Sequence, residues 1–345
     1  MQRGAGAFIA TAVAASTACV ALGGNAGHGA ESRLVLSGSA TSDGAGESRT
    51  PSTALDRMTK REPRLDGTVL RAGTGRGVAI YVFDGGISAD HEEFGKRVRI
   101  GFDAFPSKPR VCNDHGTAVA GAAAGATLGV APGAEIVDVK IINCDRMRGS
   151  TDAIIAAARW TVEDHARHPG QPAVANWSFV VDTTRSVPEI DSAVTMLRDA
   201  GILVIVAAGN FDIDACRVSP ASAPGAFVVG ASSLVRGANR GAWLDARSDN
   251  TASGSCIDVY APGDSVLLPG FDNGRSIFTS WSGTSMAAGY ASGAASLVLE
   301  RTPNATPQFV AETIVRTATP TMVDERVDST HSARAPLLYV GPIRK

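Results

Sequence analysis

Short runs of apolar, often β-branched residues alternate along most of the chain with segments of helical periodicity. Runs of this kind, without polar/apolar alternation, are typical of parallel strands buried on both faces. In this chain the runs are Val78–Phe83, Ile136–Ile142, Ala173–Ser178, Ile202–Ala207 and Phe227–Ala231. The helical segments are Thr151–His165, Pro188–Asp199, Ser285–Glu300 and Pro307–Thr317. This order predicts βαβ units with right-handed crossovers, in an α/β fold whose reactive residues lie at the carboxyl ends of the strands.

Residues 1–30 have the pattern of a secretory signal peptide. Arg3 precedes an apolar, alanine-rich stretch from Ala7 to Leu22, and the small residues after it place cleavage near Ala26 or Ala30. The stretch is too short and too rich in alanine for a good membrane span. A lipoprotein anchor at Cys19 is the alternative. We therefore expect a secreted, extracellular protein that has no membrane association after signal removal.

Residues 31–50 are small and polar without apolar periodicity, which indicates a short pro- or linker segment that is disordered or cleaved. From residue 51 to residue 345 there is no further break in composition and no internal repeat. That length suits one large α/β domain, and 44% hydrophobic residues allow a sizeable core. The formal net charge of −2 gives no indication of binding to nucleic acid or to an anionic membrane surface.

Two segments place a reactive side chain at the end of a predicted element. Asp84 follows the run Val78–Phe83, and Gly85 and Gly86 after it allow a sharp turn. His115 opens a segment of small residues that predicts a tightly packed helix. Each residue alone is also explained by a structural role, the aspartate as a turn or cap and the histidine as a satisfied packing residue.

A third segment, Ser282–Ala288, places Ser285 in the first turn of a predicted helix. Backbone N–H groups there point outward and can stabilise an oxyanion. Alone, Ser285 would be an ordinary N-cap serine. A serine becomes a nucleophile when a base takes its proton and a carboxylate fixes the tautomer of that base. The chain supplies all three groups in the order Asp, His, Ser, which is the order known for subtilisin.

These three segments resemble the signature motifs of the subtilase superfamily of serine proteases, most closely its proteinase K-like branch. The similarity runs from about Ala54 to Tyr339. It implies a three-layer α/β/α subtilisin-like fold with a mostly parallel central sheet, and a peptidase catalytic domain over residues 51–345. It also implies a serine endopeptidase that hydrolyses peptide bonds in proteins through an acyl-enzyme, with Asp84, His115 and Ser285 as its triad.

A fourth segment, Val206–Asn210, resembles the strand end that carries the oxyanion-hole asparagine of this family. The resemblance implies that the Asn210 side chain and the backbone N–H of Ser285 form the oxyanion hole. An asparagine in an ordinary turn is the alternative. By the same resemblance, the substrate-binding residues are Ser178, Phe179, Val180, Ala207, Ala208 and Gly209.

The substrate-binding strand departs from the family pattern. It commonly reads Ser-Leu-Gly-Gly, and here Val180 and Val181 stand in place of the two glycines. Because those glycines leave room for the substrate, the two valines are expected to narrow the pocket or tilt the strand.

Two further departures concern the nucleophile helix and the pro-domain. Gly289 and Tyr290 stand where proline and histidine are usual, and glycine within a helix costs about 1 kcal/mol relative to alanine. This puts the packing behind the nucleophile in question. Secreted relatives also carry a folded pro-domain, for which the residues between about Ala26 and Pro51 leave no room. Either folding needs none, or the start is truncated.

Four cysteines remain after signal removal, an even number in an oxidising compartment. Sequence alone allows three connectivities, and free buried thiols are a further alternative. The resemblance implies the pairs Cys112–Cys144 and Cys216–Cys256.

No cofactor for catalysis is implied, and structural calcium has no clear site. The calcium-binding aspartate of relatives would follow Val229–Ser232, but Ser233 stands there. Asp90, Glu92 and Glu93 could hold Ca²⁺ elsewhere, with a solvated acidic loop as the simpler interpretation. The expected partners are protein or peptide substrates, and we expect a monomer.

A secreted pseudoprotease that acts as a binding module is the second hypothesis. Val180, Val181, Gly289 and Tyr290 favour it, and the intact catalytic residues argue against it. A third possibility is a transpeptidase or a maturation enzyme with one narrow substrate. Reaction with a fluorophosphonate probe separates the first two hypotheses, and a panel of random peptides exposes the third as one dominant cleavage.

Overall fold

The computed structural model describes residues 47–106, 109–236, 243–272, 275–320 and 336–342. The signal peptide predicted over residues 1–30 lies outside these residues, as does most of the segment 31–50. The α-helices within them are α1 (Thr53–Met58), α2 (His115–Ala124), α3 (Thr151–Ala166), α4 (Pro188–Asp199), α5 (Thr284–Arg301) and α6 (Pro307–Thr317). None of these helices combines the length and the apolar character that crossing a bilayer requires.

The strands in the same residues form one large sheet and two small antiparallel pairs, β1–β2 and β11–β12. They are β1 (Glu47–Arg49), β2 (Thr68–Leu70), β3 (Ala79–Asp84), β4 (Val98–Asp103), β5 (Glu135–Lys140), β6 (Ala173–Trp177), β7 (Leu203–Ala207), β8 (Phe227–Arg236), β9 (Trp243–Arg247), β10 (Ile257–Pro262), β11 (Val266–Asp272) and β12 (Arg275–Trp281).

The large sheet has the strand order β10-β8-β7-β6-β3-β5-β4, with all of these neighbours parallel. Strand β9 pairs antiparallel with β8. The five apolar runs of the sequence are the contiguous centre of this sheet, from β8 to β5. The strands without a clear sequence signal, β4, β9 and β10, lie outside that centre.

Strand β3 shows why the apolar runs lack alternation. Ile80 and Val82 pack into one hydrophobic core, which α2 and α5 cover. Tyr81 and Phe83 pack into a second core, which α3 and α4 cover. Because each face of the strand meets a helical layer, every position along it is apolar, and the architecture has three layers, α/β/α.

Strand β8 continues past its predicted end at Ala231. Its last residues pair with β9, from Ser232 opposite Arg247 to Arg236 opposite Trp243. This extension is partly exposed. The apolar run therefore stops at Ala231 although the strand does not.

The packing of α5 against α2 explains the glycine at position 289. A Cβ on Gly289 would lie 2.7 Å from the carbonyl oxygen of Val119 and 2.9 Å from the Cβ of Ala122. A Cβ on Gly293 would lie 2.5 Å from the carbonyl oxygen of Ala123. Glycine thus permits a close approach that alanine would prevent.

The same contacts show that α2 and α5 run in the same direction, since later residues of one helix meet later residues of the other. Their N-termini therefore lie at one end of the layer. His115 is the first residue of α2, and Ser285 is the second residue of α5.

Candidate active site

Three neighbouring strands deliver polar residues to one edge of the sheet. Asp84 ends β3, Ser178 follows β6, and Asn210 lies just after β7. Because these strands are parallel and adjacent, their carboxyl ends lie side by side. His115 and Ser285 reach the same edge from the N-termini of their helices. All five residues line one open cleft.

Asp84 holds the ring of His115. Its Oδ2 lies 2.8 Å from His115 Nδ1, and its Oδ1 accepts a hydrogen bond from the N–H of Gly85 at 2.7 Å. The carboxylate only accepts, so Nδ1 carries the hydrogen and Nε2 of the neutral ring is an acceptor. Gly116 permits this contact, because a Cβ there would lie 2.5 Å from the carbonyl oxygen of Gly86.

The pKa of His115 is raised above its ordinary value of 6.5. Burial alone would lower this pKa, because removal from water disfavours the charged form of the ring. The negative charge of Asp84 and its hydrogen bond outweigh that effect by stabilising the imidazolium. The His115 side chain is 23% exposed on the cleft side, so the ring can exchange protons with a bound molecule.

Ser285 lies where the first turn of α5 leaves backbone N–H groups without helical partners. The residue that caps this helix is Gly283, with φ of 145°, and it has no side chain to engage those groups. Ser285 Oγ donates a hydrogen bond to the carbonyl oxygen of Ser178 at 3.2 Å. Within the described residues it makes no hydrogen bond to His115. In enzymes without bound substrate such catalytic contacts are often not yet formed.

Asn210 is oriented by the start of α5. Its Oδ1 accepts hydrogen bonds from the N–H of Thr284 at 2.8 Å and from the Thr284 hydroxyl at 2.9 Å. This engagement of the oxygen sets the direction of the amide, and Nδ2 has no hydrogen-bond partner in the described part of the chain. A negatively charged oxygen placed between Asn210 Nδ2 and the N–H of Ser285 would meet two donors at a helix N-terminus.

A chain of buried hydrogen bonds ties β6 to α5 beneath Ser285. Ser178 Oγ donates to Asn176 Oδ1 at 2.8 Å, and Asn176 Nδ2 donates to Ser292 Oγ at 3.0 Å. Ser292 Oγ in turn donates to the carbonyl oxygen of Ala288 at 2.9 Å. These bonds fix α5 relative to the sheet. The only sign of Asn176 in the sequence is a polar residue inside an apolar run.

Of the six predicted substrate-binding residues, all but Ala208 line the cleft. Ala208 is fully buried in the core, where its N–H donates a hydrogen bond to the carbonyl oxygen of Val229 at 3.0 Å. Val181 is likewise buried, at 5% exposure. Only Val180 of the two valines therefore lines the cleft.

Trp281 lines the cleft beside His115, at the end of β12. The two ring centroids lie 6.3 Å apart, with the planes at 75°. The sequence gives a weak signal for this residue, an aromatic position directly before the segment Ser282–Ala288.

Residues 75–333 match a family model described as Peptidase_S8, Subtilase family. The match covers well over half of the chain and includes all of the cleft residues described above. The chain is a member of the subtilase family. The resemblance that the sequence motifs predicted is therefore confirmed.

Two relatives of this subtilase are named as serine proteases. The chain is 37% identical over 278 residues to the extracellular serine proteinase of Thermus sp. (strain Rt41A). The aligned residues cover 80% of this chain and 63% of the relative. The chain is 36% identical over 275 residues to alkaline serine exoprotease A of Vibrio alginolyticus, which covers 79% of this chain and 48% of the relative. The chain thus spans between about half and two thirds of the length of these relatives.

A solved structure shares the architecture of this subtilase. It is the crystal structure of a cold adapted subtilisin-like serine proteinase, with a TM-score of 0.72 and 31% sequence identity. The superposition covers 86% of this chain and 100% of that one. The predicted subtilisin-like, three-layer α/β/α fold with a mostly parallel sheet is confirmed.

Two disulfides join loops of this subtilase. They are Cys112–Cys144 and Cys216–Cys256. The N–H of Cys112 donates to the carbonyl oxygen of Gly85 at 2.9 Å. The first disulfide therefore anchors the segment that leads into α2 next to Asp84.

The acidic residues considered for calcium have other roles in the subtilase. Glu93 is buried and accepts hydrogen bonds from the N–H groups of Thr127 and Leu128, whereas Asp90 and Glu92 are exposed. No group of three or more potential ligands is found among the described residues.

A buried ion pair holds the segment before α2. Arg110 Nη2 lies 2.8 Å from Asp138 Oδ2, and Arg110 Nη1 lies 2.8 Å from Asp103 Oδ2. Asp138, on β5, is 0% exposed. Burial raises the pKa of Asp138 to about 6, although the charge and hydrogen bond of Arg110 act in the opposite direction. This pair fastens the approach to His115 to the central sheet.

The raised pKa of Asp138 predicts a pH-dependent stability. The folded chain holds the proton more tightly than the unfolded chain, whose aspartate pKa is about 3.9. Asp138 therefore contributes most to the free energy of unfolding below about pH 4. This contribution falls by about 3 kcal/mol as the pH rises from about 4 through about 6. We expect Asp138→Asn to remove this part of the pH dependence. Urea unfolding between pH 4 and pH 7 checks it, with Ser285→Ala in both chains to prevent self-digestion, and equal pH dependence in both would contradict it.

Proposed function

We propose that this subtilase is a secreted serine endopeptidase that hydrolyses peptide bonds in proteins, with Asp84, His115 and Ser285 as its catalytic triad. The observation that carries the proposal is the 2.8 Å contact between Asp84 Oδ2 and His115 Nδ1, in a cleft that also holds a first-turn serine. Either feature alone is common in proteins. Their convergence with the free amide of Asn210 supplies base, nucleophile and oxyanion donor within one cleft, which is the set that acyl transfer needs.

In the first half of the reaction, Ser285 Oγ turns from the carbonyl oxygen of Ser178 towards His115. His115 Nε2 takes the hydroxyl proton as Oγ attacks the carbonyl carbon of the scissile peptide. Asp84 stabilises the imidazolium that forms. The carbonyl oxygen becomes an oxyanion, which the Asn210 amide and the Ser285 N–H stabilise.

In the second half, His115 gives its proton to the leaving amine, and the C–N bond breaks to leave an acyl ester on Ser285. Water then enters, and His115 Nε2 takes a proton from it as it attacks the ester carbon. The same oxyanion donors serve this step. His115 then returns this proton to Ser285 Oγ as the ester C–O bond breaks, which releases the acid and restores the Ser285 hydroxyl. Each step uses only groups of this chain and water.

The expectations for the rest of the chain belong to this proposal. Residues 1–30 act as a signal peptide, and residues 51–345 form the catalytic domain. Secretion is supported by the N-terminal pattern and by the relatives named as an extracellular proteinase and an exoprotease. The substrates are proteins or peptides, and the enzyme acts as a monomer.

A binding module without turnover is the second candidate. It is favoured by one observation, the hydrogen bond of Ser285 Oγ to Ser178 instead of to His115. If that bond persisted with substrate bound, the serine would keep its proton and remain a weak nucleophile.

Hydrolysis of casein and of peptide anilides across a pH series tests the proposal. We expect turnover that phenylmethylsulfonyl fluoride abolishes. His115 must be neutral to act as a base, and Asp84 raises its pKa above 6.5. We therefore expect kcat/KM to rise with pH through a midpoint above 6.5. Folded, correctly processed protein without turnover would favour the binding module, and a midpoint well below 6.5 would contradict the assignment of His115 as the base.

A further inference from the structure

The cleft divides into two sides about Ser285. His115 must protonate the leaving amine, so the leaving half of a substrate lies on the side of His115 and Trp281. The acyl half then lies on the other side, between Ser178–Val180 and Ala207–Gly209, which also line the cleft. We call these two segments the acyl-side walls.

Both acyl-side walls begin at the reactive groups. The carbonyl oxygen of Ser178 accepts the hydrogen bond of Ser285 Oγ at 3.2 Å. The N–H of Gly209 donates to Thr284 Oγ1 at 3.2 Å, and Asn210 follows directly. A side chain on the acyl residue that enters between the walls therefore starts beside the nucleophile and runs along both of them.

Val180 brings the two walls into contact. A Cβ placed on Gly209 would lie 3.3 Å from Val180 Cγ2, so the valine methyl reaches across to the opposite wall. Gly209 has φ of 106°, a conformation that favours glycine, and the absence of a side chain there leaves a gap beside the Val180 methyl group. The gap between the walls thus ends at a methyl group.

Val180 also lines a second, smaller depression that is open to solvent. Ile141, Ile142 and Phe179 line both spaces together with Val180. Val180 is therefore one of four side chains between the cleft and this depression.

We infer that Val180 restricts the acyl position to small side chains such as glycine, alanine and serine. This inference rests on the proposed function. A phenylalanine or leucine side chain at that position would have to displace the Val180 methyl from Gly209, and packed sites resist such overpacking. Shortening Val180 to alanine removes both of its methyl groups and widens the gap between the walls.

The test is kcat/KM for peptide anilides that differ only in alanine, leucine or phenylalanine at the acyl position. We expect wild type to favour alanine over phenylalanine by about tenfold or more, and Val180→Ala to raise the Phe/Ala ratio by about tenfold. Val180→Thr keeps the branched shape and should keep the wild-type ratio. Val181→Ala is the matched control, since Val181 is buried away from the cleft, and it should also keep the wild-type ratio.

Titration of each protein with a fluorophosphonate probe distinguishes a wrong role for Val180 from a wrong endopeptidase assignment. Labelled wild type that prefers phenylalanine, or equal shifts in Val180→Ala and Val181→Ala, would overturn the role of Val180 and leave the endopeptidase assignment intact. Wild type with neither labelling nor hydrolysis would overturn the endopeptidase assignment, and the role of Val180 with it.

Discussion

Replacing Ser285 with alanine is expected to lower kcat for peptide-anilide hydrolysis by about 10⁶-fold. That is the size of loss known for the same change in subtilisin, a member of this family. The physical reason is that no other group in the cleft can form the acyl-enzyme, so only binding and the oxyanion donors remain. Ser178 lies closest in the hydrogen-bond network, but its Oγ is engaged with Asn176.

Ser296→Ala is the matched control for this change. Ser296 lies in the same helix, is fully buried, and donates to the carbonyl oxygen of Ser292 at 2.9 Å. It touches none of the groups assigned to catalysis, so turnover should be retained. Turnover in folded Ser285→Ala above about one per cent of wild type, far more than such a loss leaves, would show that another residue is the nucleophile.

Replacing Asp84 with asparagine is expected to lower kcat by about 10⁴-fold, the order known for the triad aspartate of serine proteases, subtilisin included. An asparagine keeps the shape but removes the charge that stabilises the imidazolium. It can also donate to Nδ1, which would place the ring hydrogen on Nε2, where it cannot accept the serine proton. The 2.8 Å contact with His115 is therefore retained in the wrong tautomer.

The pH profile separates this effect from a loss of structure. Since Asp84 is what raises the pKa of His115, the remaining activity of Asp84→Asn should rise with pH at a lower midpoint than wild type. Asp258→Asn is the control, a partly buried carboxylate on β10 whose Oδ2 accepts a hydrogen bond from the N–H of Val228 at 2.7 Å, and it should retain both turnover and midpoint. An unchanged midpoint in Asp84→Asn would mean that Asp84 does not act through the charge of the ring.

The centre of the fold was predictable because its strands carry the simplest pattern in the chain. Strand β3 is covered on both faces, so Ile80–Phe83 is apolar throughout, and Asp84 stands out at its end. The positions of His115 and Ser285 were predictable for a similar reason. Both lie in the first turn of a helix of small residues, and close helix packing requires such residues, as Gly289 shows against Val119.

The edges of the fold could not be predicted in this way. Strand β4 is partly exposed along its length and carries Arg99 and Asp103, and the hairpin β11–β12 mixes apolar and polar positions on both strands. Their pairing depends on long-range contacts. One of these is the N–H of Phe271, which donates to Asp114 Oδ2 at 2.7 Å.

The directions of individual side chains could not be predicted from the sequence either. Nothing in the sequence separates Ala208 from Ala207, or Val181 from Val180, until the pleat of the backbone is known. The hydrogen bond of Ser285 to Ser178 is also a matter of local geometry, since the same motif allows the hydroxyl to turn towards His115.

The most direct test of the triad is to locate the residue that a fluorophosphonate modifies. Folded wild type is treated with the probe, digested and sequenced by mass spectrometry, alongside Ser285→Ala and Ser296→Ala. We expect one adduct per chain, at Ser285, in wild type and Ser296→Ala, and none in Ser285→Ala. An adduct at another residue, or an unmodified Ser285 in folded wild type, would contradict the triad assignment.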